Sequence, residues 1–361
     1  MDNKTVYFFE LLQIALGVRG ELSRTPTSKE WNEIFIESQR QSLVGVLAGG
    51  LEHLPKEQLP VQNILIQWIG ISQMINSQYQ IHCNHAQDLY DFFINDGIRS
   101  CILKGVGIAQ LYKYPSQRQL GDIDILVDCK RDVLLDSVVK HGLVINHVDI
   151  KHSDICFFDD VPVEVHFMPS WLYCPWNNKK LQCFFKSMLD SQYRNYNKQL
   201  GFAHTTAEFD LVYSIVHIYR HVFDEGIGLR HIIDYYYIIK KTSKNERNNA
   251  SCVLQQLKME GFVGGVMWIL KNFLGIEDQF LLCPVNKRHG EFLFNEIMLM
   301  GNFGQFDPRV NKGWCCKNRF NKGIIQFKRN LRFLLFYPTE VICSPFWKLW
   351  HFGWRKRKGY L

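Results

Sequence analysis

Between residues 98 and 170 the spacing of apolar residues drops from steps of three and four to steps of two, and no fold built from helices alone accommodates that change. "RSCILK" and "DIDILV" are short, apolar and rich in β-branched residues. "GVGIAQLYKY" between them and "KRDVLLDSVVKHG" after them have helical spacing, which predicts strand, helix, strand, helix. "LVINHV", "DICFF" and "VPVEVHF" supply three further strands, with Asp159-Asp160 as a tight hairpin before the last. Pro162 cannot donate to a ladder, so it belongs on an edge strand or at the first position of a strand.

Helical patterns flank this stretch on both sides. Thr27 followed by Glu30 is a capping box that predicts a helix running toward Leu47. Ile64, Trp68, Ile71, Ile75, Tyr79, His82, Ala86, Leu89 and Phe93 form one stripe of a longer helix, which Asp96-Gly97 stops. His82, on that stripe, reads as a hydrogen-bonded core histidine. Beyond "HFMPSWLYCPW" the segments "TTAEFDLVYSIVHIYRHVF", "GLRHIIDYYYIIKK" and "CVLQQLKMEGFVGGVMWILKNFLG" are helical again. The expected class is α+β, with a small mixed sheet over 98–170 between a helical region, 1–97, and a second helical region, 171–361, that ends in a basic aromatic tail.

At 361 residues and 47% apolar content the chain can bury a sizeable core. Its 11 cysteines are odd in number and form no Cys-x-x-Cys pair, and neighbouring Cys315 and Cys316 suit neither an ordinary disulfide nor a tetrahedral metal site. Reduced thiols and a cytoplasmic location are expected. "MDNKTVYFFE" lacks the basic start of a secretory signal. Residues 58 to 87 carry no charged side chain, but repeated Gln and Asn exclude a membrane span. The net charge of +7 is concentrated late: eight Lys or Arg and no acid separate Pro308 from Thr339, and "WRKRK" follows. That pole is either a solvated face or an attractor for nucleotides, nucleic acid or a phospholipid surface. The aromatics of "SPFWKLWHFGWRKRK" suit peripheral membrane contact or base stacking, or pack a terminal helix onto the body.

Two residues apart on a strand, Asp122 and Asp124 project from one face while Ile123 and Ile125 point to the other. Crowded carboxylates raise each other's pKa unless a cation neutralises them, and a divalent metal that prefers hard oxygen ligands does so. Glu164 is the third acid, because Val161, Val163, Val165 and Phe167 take one face of their strand and leave Glu164 with His166 on the other. An isolated Asp-x-Asp is common in turns. Here "CILKG" precedes it, a strand ending at Lys104-Gly105 before a helix, where free backbone N–H groups and a lysine accept phosphate. Arg118 adds a planar fork for phosphate oxygens. Asp128 is expected to cap the next helix. His217 and His221 lie four apart but lack the glutamate of a zinc protease, so they read as stacked or core histidines. Arg220, Arg230, His231 and Asp234 face a cleft, or Arg230 simply pairs with Asp234 one helical turn on.

"ILKGVGIAQLY", "R-x-x-GDIDILV" and "VEVHF", in that order, resemble the uncharacterised bacterial nucleotidyltransferase family of the DNA polymerase β superfamily. "VHIYRH" and "GLRHIIDYYYII" extend the resemblance more loosely. It implies a minimal polymerase β-like sheet, two Mg²⁺ ions held by Asp122, Asp124 and Glu164, and a nucleoside triphosphate over the Gly105 turn, with Lys104, Arg118, His166 and Arg230 as further binding residues. Val106 stands where that superfamily usually has a serine, so Lys104 and Arg118 are expected to replace its hydroxyl. The implied reaction moves a nucleoside monophosphate to a hydroxyl of a protein, small molecule or glycan, with Glu164 lowering the acceptor's pKa. A nucleotide-binding module without chemistry and a nucleic-acid-directed protein are the other classes open on sequence grounds.

Overall fold

The computed structural model describes residues 3–309 and 327–360. Cys315, Cys316 and the middle of the basic stretch lie outside the described residues. The chain begins with α1 (Asn3–Ala15), α2 (Ser28–Arg40), α3 (Val44–Leu51) and α4 (Gln62–Asn95). Thr27 and Glu30 form the expected capping box, but α2 stops at Arg40 instead of continuing to Leu47. The cause is tertiary: the fully buried Gln41 side chain accepts the backbone N–H of Leu229, and Ser42 takes a left-handed turn at φ 55°. The α4 stripe is buried as its spacing requires, apart from half-buried Ile71, and Gly97, at φ 71°, ends it.

Next come β1 (Ser100–Ile102), α5 (Val106–Ala109), β2 (Ile123–Val127), α6 (Arg131–Lys140), β3 (Val144–Val148), β4 (His152–Cys156) and β5 (Val163–His166). The sheet order is β1-β2-β5-β4-β3; β2 and β5 are parallel and the other pairs antiparallel. Ile123, Ile125, Val163, Val165 and Ile155 turn one face into a core against Tyr79, Ala86, Leu89 and Phe93 of α4. The opposite face is left for polar groups. The fold is α+β, as the change of period requires.

Two local expectations are corrected, and the choice left open for Pro162 is decided in favour of the strand's start. The helix predicted over "GVGIAQLYKY" is only the four residues of α5, because Tyr112 turns inward to donate its hydroxyl to Asp234 and Pro115 follows. β4 begins at His152, two residues before "DICFF". Pro162 is not on an edge: β5 is central, and Pro162 stands just before it, where its carbonyl accepts Ile123 N–H at 2.9 Å.

After the sheet run α7 (Pro175–Arg194), the short strands β6 (Tyr196–Asn197) and β7 (Phe202–Ala203), α8 (Ala207–Asp224), α9 (Leu229–Lys241), α10 (Lys244–Gln256), α11 (Glu260–Leu274), α12 (Lys287–Met300) and α13 (Pro338–Lys358). The pattern read as one helix from Cys252 to Gly275 is split between α10 and α11 at Lys258, whose φ is 61°. The basic stretch is not uniformly solvated, since Arg309 and Arg332 both pair with Glu296. α13 is two-sided. Trp347 stacks on Trp171 and His351 contacts Asp149, while Ile342, Phe346, Leu349, Trp350 and Phe352 face solvent. Among the described residues no helix is long and apolar enough to cross a membrane.

α3 packs on the loop that carries Arg118, and a Cβ on Gly45 would collide with the Gln117 carbonyl. Gly45→Ala is therefore expected to cost about 1–3 kcal/mol, as overpacking does. Gly70→Ala, at an open site within α4, should instead raise the melting temperature. Calorimetry showing the same sign for both would refute this packing.

Candidate active site

The strand period and register together build the site. Asp124 lies opposite Glu164 across the parallel β2–β5 pair, and Asp154 lies opposite Glu164 across β4–β5, so three acids form a row on the polar face. His166 and His152 are also opposite one another. Asp122 enters just before β2. Its loop is held by His82, whose ring nitrogens lie 2.7 Å from the carbonyl oxygens of Gln78 and Gly121. His82 is thus the bonded core histidine its stripe position suggests, and it steadies the residue next to Asp122.

One oxygen from each of Asp122, Asp124 and Glu164 lies within 4.8 Å of the others. They open into a cleft of about 460 Å³ between the sheet, α8 and α9, large enough for a small-molecule ligand. Lys104 Nζ stands 2.9 Å from Asp124 Oδ2, and His166 Nε2 stands 2.8 Å from Asp124 Oδ1 and 3.2 Å from Glu164 Oε2. The charges sort accordingly. Asp122 is pushed above the usual carboxylate range, first by Asp124 and then by burial. Burial also opposes ionisation of Asp124, but Lys104 and His166 outweigh it and hold the group below that range. Glu164 behaves likewise, its burial overcome by His166, His152 and Lys104. An all-oxygen trio with one member forced upward by its neighbour is the donor chemistry a hard divalent cation fits.

The cleft's other walls come from the helices. Gly105 adopts φ 59°, a conformation that a side chain would strain, and Lys104 before it lines the cleft. Because α5 is one turn long, it offers no helix-end dipole, and the cation beside the turn is Lys104. Arg118 departs from expectation: Nε and Nη2 are bound to the two oxygens of Asp234 at 2.7 and 2.8 Å, with both side chains buried, so its fork is taken. Asp234 correspondingly pairs with Arg118 and not with Arg230, which donates to the Gln119 carbonyl at 2.7 Å and borders the cleft. Asp128 accepts from exposed Arg99 and caps nothing; Lys130 is the N-cap of α6. His217, His221 and His231 cluster on the wall, with the first two rings 4.3 Å apart. Burial, with neighbouring cations, keeps His217 and His231 well below the usual histidine range. Arg220 is held between Trp171 and Tyr173, 4.3 and 3.8 Å from the ring centres.

The model of the uncharacterised nucleotidyltransferase family matches residues 27–275, from the α2 cap through the end of α11. The chain belongs to that family. No curated protein matches it. For this nucleotidyltransferase family member, the match spans the sheet, the acid trio and the α8–α9 wall, and it leaves α12 and α13 outside.

Sequence reasoning missed His152, Asp154, Trp171 and Tyr173. The alternation in "KHSDI" was available for the first two, but starting the strand at Asp154 left His152 in a loop. Nothing local marks the two aromatics, whose contacts with Arg220 span some fifty residues of chain.

Proposed function

We propose that the cleft transfers a nucleoside monophosphate from a nucleoside triphosphate to a hydroxyl acceptor, releasing pyrophosphate, in a Mg²⁺-dependent reaction. The convergence of Asp122, Asp124 and Glu164 on the wall of a ligand-sized cleft carries this reading. Those three would hold two Mg²⁺ ions, which when bound supply charge stabilisation to an in-line displacement at phosphorus. The protein's own groups do the rest. Lys104 and Arg230 offer cations to the triphosphate beside the Gly105 turn, His166 orients Asp124 and Glu164, and the Glu164 carboxylate, kept ionised by its histidine neighbours, lowers the acceptor hydroxyl's pKa.

Incubation with Mg²⁺, α-labelled ATP, UTP, GTP or CTP and cell lysate should label the protein or a lysate component. Asp122→Ala/Asp124→Ala should not. Nucleotide binding without transfer to any acceptor would instead identify a binding module, the reading that Val106 in place of serine favours. Lys104→Ala is expected to weaken triphosphate binding roughly 10- to 100-fold, the worth of one charge-assisted hydrogen bond. Unchanged affinity would remove Lys104 from the site.

The exposed ridge of α13 bears on location. Ile342, Phe346, Leu349 and Trp350 share its outer face, Arg355–Lys358 follow, and Glu340, the helix's acid, is buried. That pattern fits the surface of an anionic bilayer. Pelleting with phosphatidylglycerol vesicles but not with phosphatidylcholine vesicles is the expected result, and equal binding to both would exclude the electrostatic part.

A further inference from the structure

A second donor set meets Glu164 from the side away from β2. His152 Nδ1 stands 3.7 Å from Glu164 Oε2, and His166 Nε2 stands 3.2 Å from the same oxygen. One nitrogen of each histidine and one carboxylate oxygen lie within 4.8 Å of one another. Bond lengths of about 2.0–2.1 Å in tetrahedral geometry put ligand atoms about 3.3 Å apart, so these donors need little movement to share an ion.

The condition of His152 points the same way. The residue is 7% exposed, and its Nδ1 is buried without a hydrogen-bond partner, an arrangement that costs stability unless something occupies the lone pair. Its other nitrogen lies 3.0 Å from Asp154 Oδ1. Asp154 Oδ1 has no hydrogen-bond partner of its own, and a small turn of its carboxylate toward Nε2 would hold the ring proton there and leave the other lone pair for a metal. The Nδ1 lone pair then faces Glu164.

We propose that His152, Glu164 and His166 bind a transition-metal dication of the Zn²⁺ type, with Asp154 orienting His152. Two imidazoles and one carboxylate suit Zn²⁺, Co²⁺ or Mn²⁺, whereas Mg²⁺ demands oxygen ligands in octahedral array. Glu164 belongs to both donor sets, and His166 must release Asp124 to ligate through Nε2. The two occupancies therefore exclude each other, and Zn²⁺ acts as an inhibitor that Mg²⁺ relieves. This inhibitory consequence rests on the transfer reaction proposed above; the metal site itself does not.

Binding is tested without nucleotide. Chelator-treated protein titrated with Co²⁺ should develop a visible absorption band that saturates near one equivalent, is abolished by Zn²⁺ and recedes as Mg²⁺ is raised in excess. His152→Ala should lose the band, and Asp154→Asn should weaken binding about 10- to 100-fold. Asp122→Asn, which breaks the oxygen trio, should keep it. Circular dichroism checks that each variant is folded. Absence of a band, or a band unaltered in folded His152→Ala, overturns the site. A band with no Mg²⁺-relievable inhibition of label transfer by Zn²⁺ overturns the exclusion alone, and failure of all label transfer under Mg²⁺ concerns the proposed reaction and leaves the band to decide the site.

Discussion

Asp122→Asn is expected to abolish nucleotidyl transfer and raise the melting temperature, whereas Asp124→Asn abolishes transfer and lowers it. Loss of one preorganised electrostatic group costs about 10²–10³-fold in rate, so both variants fall at least that far in a label-transfer assay. Their stabilities diverge because the two carboxylates have opposite environments. Asp122 has its pKa raised in the folded state by Asp124 and by burial, so its ionised form at neutral pH subtracts from stability, and a neutral amide removes that penalty. Asp124 is held low by Lys104 and His166 despite burial, so it contributes stability above the ordinary carboxylate pKa and loses it as pH falls. Its neutralisation takes the ion-pair partner from Lys104, which keeps only the weaker attraction of Asp122 and Glu164, and breaking a buried pair costs up to about 3–5 kcal/mol. Scanning calorimetry without added metal reads the difference. A shift of the same sign in both variants would contradict the charge arrangement.

The second large effect concerns the Arg118–Asp234 pin. Tyr112 and Arg118 both bind Asp234, tying the loop before β2 to α9 across the back of the cleft. Asp234→Ala strands a buried guanidinium and is expected to cost about 3–5 kcal/mol. Arg118→Lys should recover little, because an ammonium cannot make two parallel contacts with one carboxylate. Arg118→Met/Asp234→Leu should recover most of the stability, since a buried pair is replaceable by apolar groups of similar volume. That double variant also separates the two roles offered for Arg118. If it is a pin, triphosphate affinity of the folded double variant stays within about twofold of the parent, well below the tenfold that 1.4 kcal/mol represents. A larger loss would show that the guanidinium reaches phosphate.

Much of the site was legible locally. Period-two alternation places Asp122 with Asp124 and Glu164 with His166 whatever the rest of the chain does, because side-chain direction along a strand is a property of the backbone. The capping box at Thr27, the glycine stop at Gly97 and the α4 stripe are local in the same sense. The partners were not legible. Which cation meets Asp124, and that Arg118 is claimed by a residue 116 positions away, depend on how elements dock. The break after Arg40 depends on a backbone N–H 188 residues distant that Gln41 satisfies.

The sequence by itself determined the α+β class and the faces on which the acids lie, since both follow from periodicities that each segment carries alone. Only the tertiary structure decided that β5 sits between β2 and β4. Glu164 thereby gains Asp124 on one side and Asp154 on the other, and His166 meets His152. Strand order is settled by the burial of Ile123, Val163 and Ile155 against α4, a summed long-range effect that no short segment encodes.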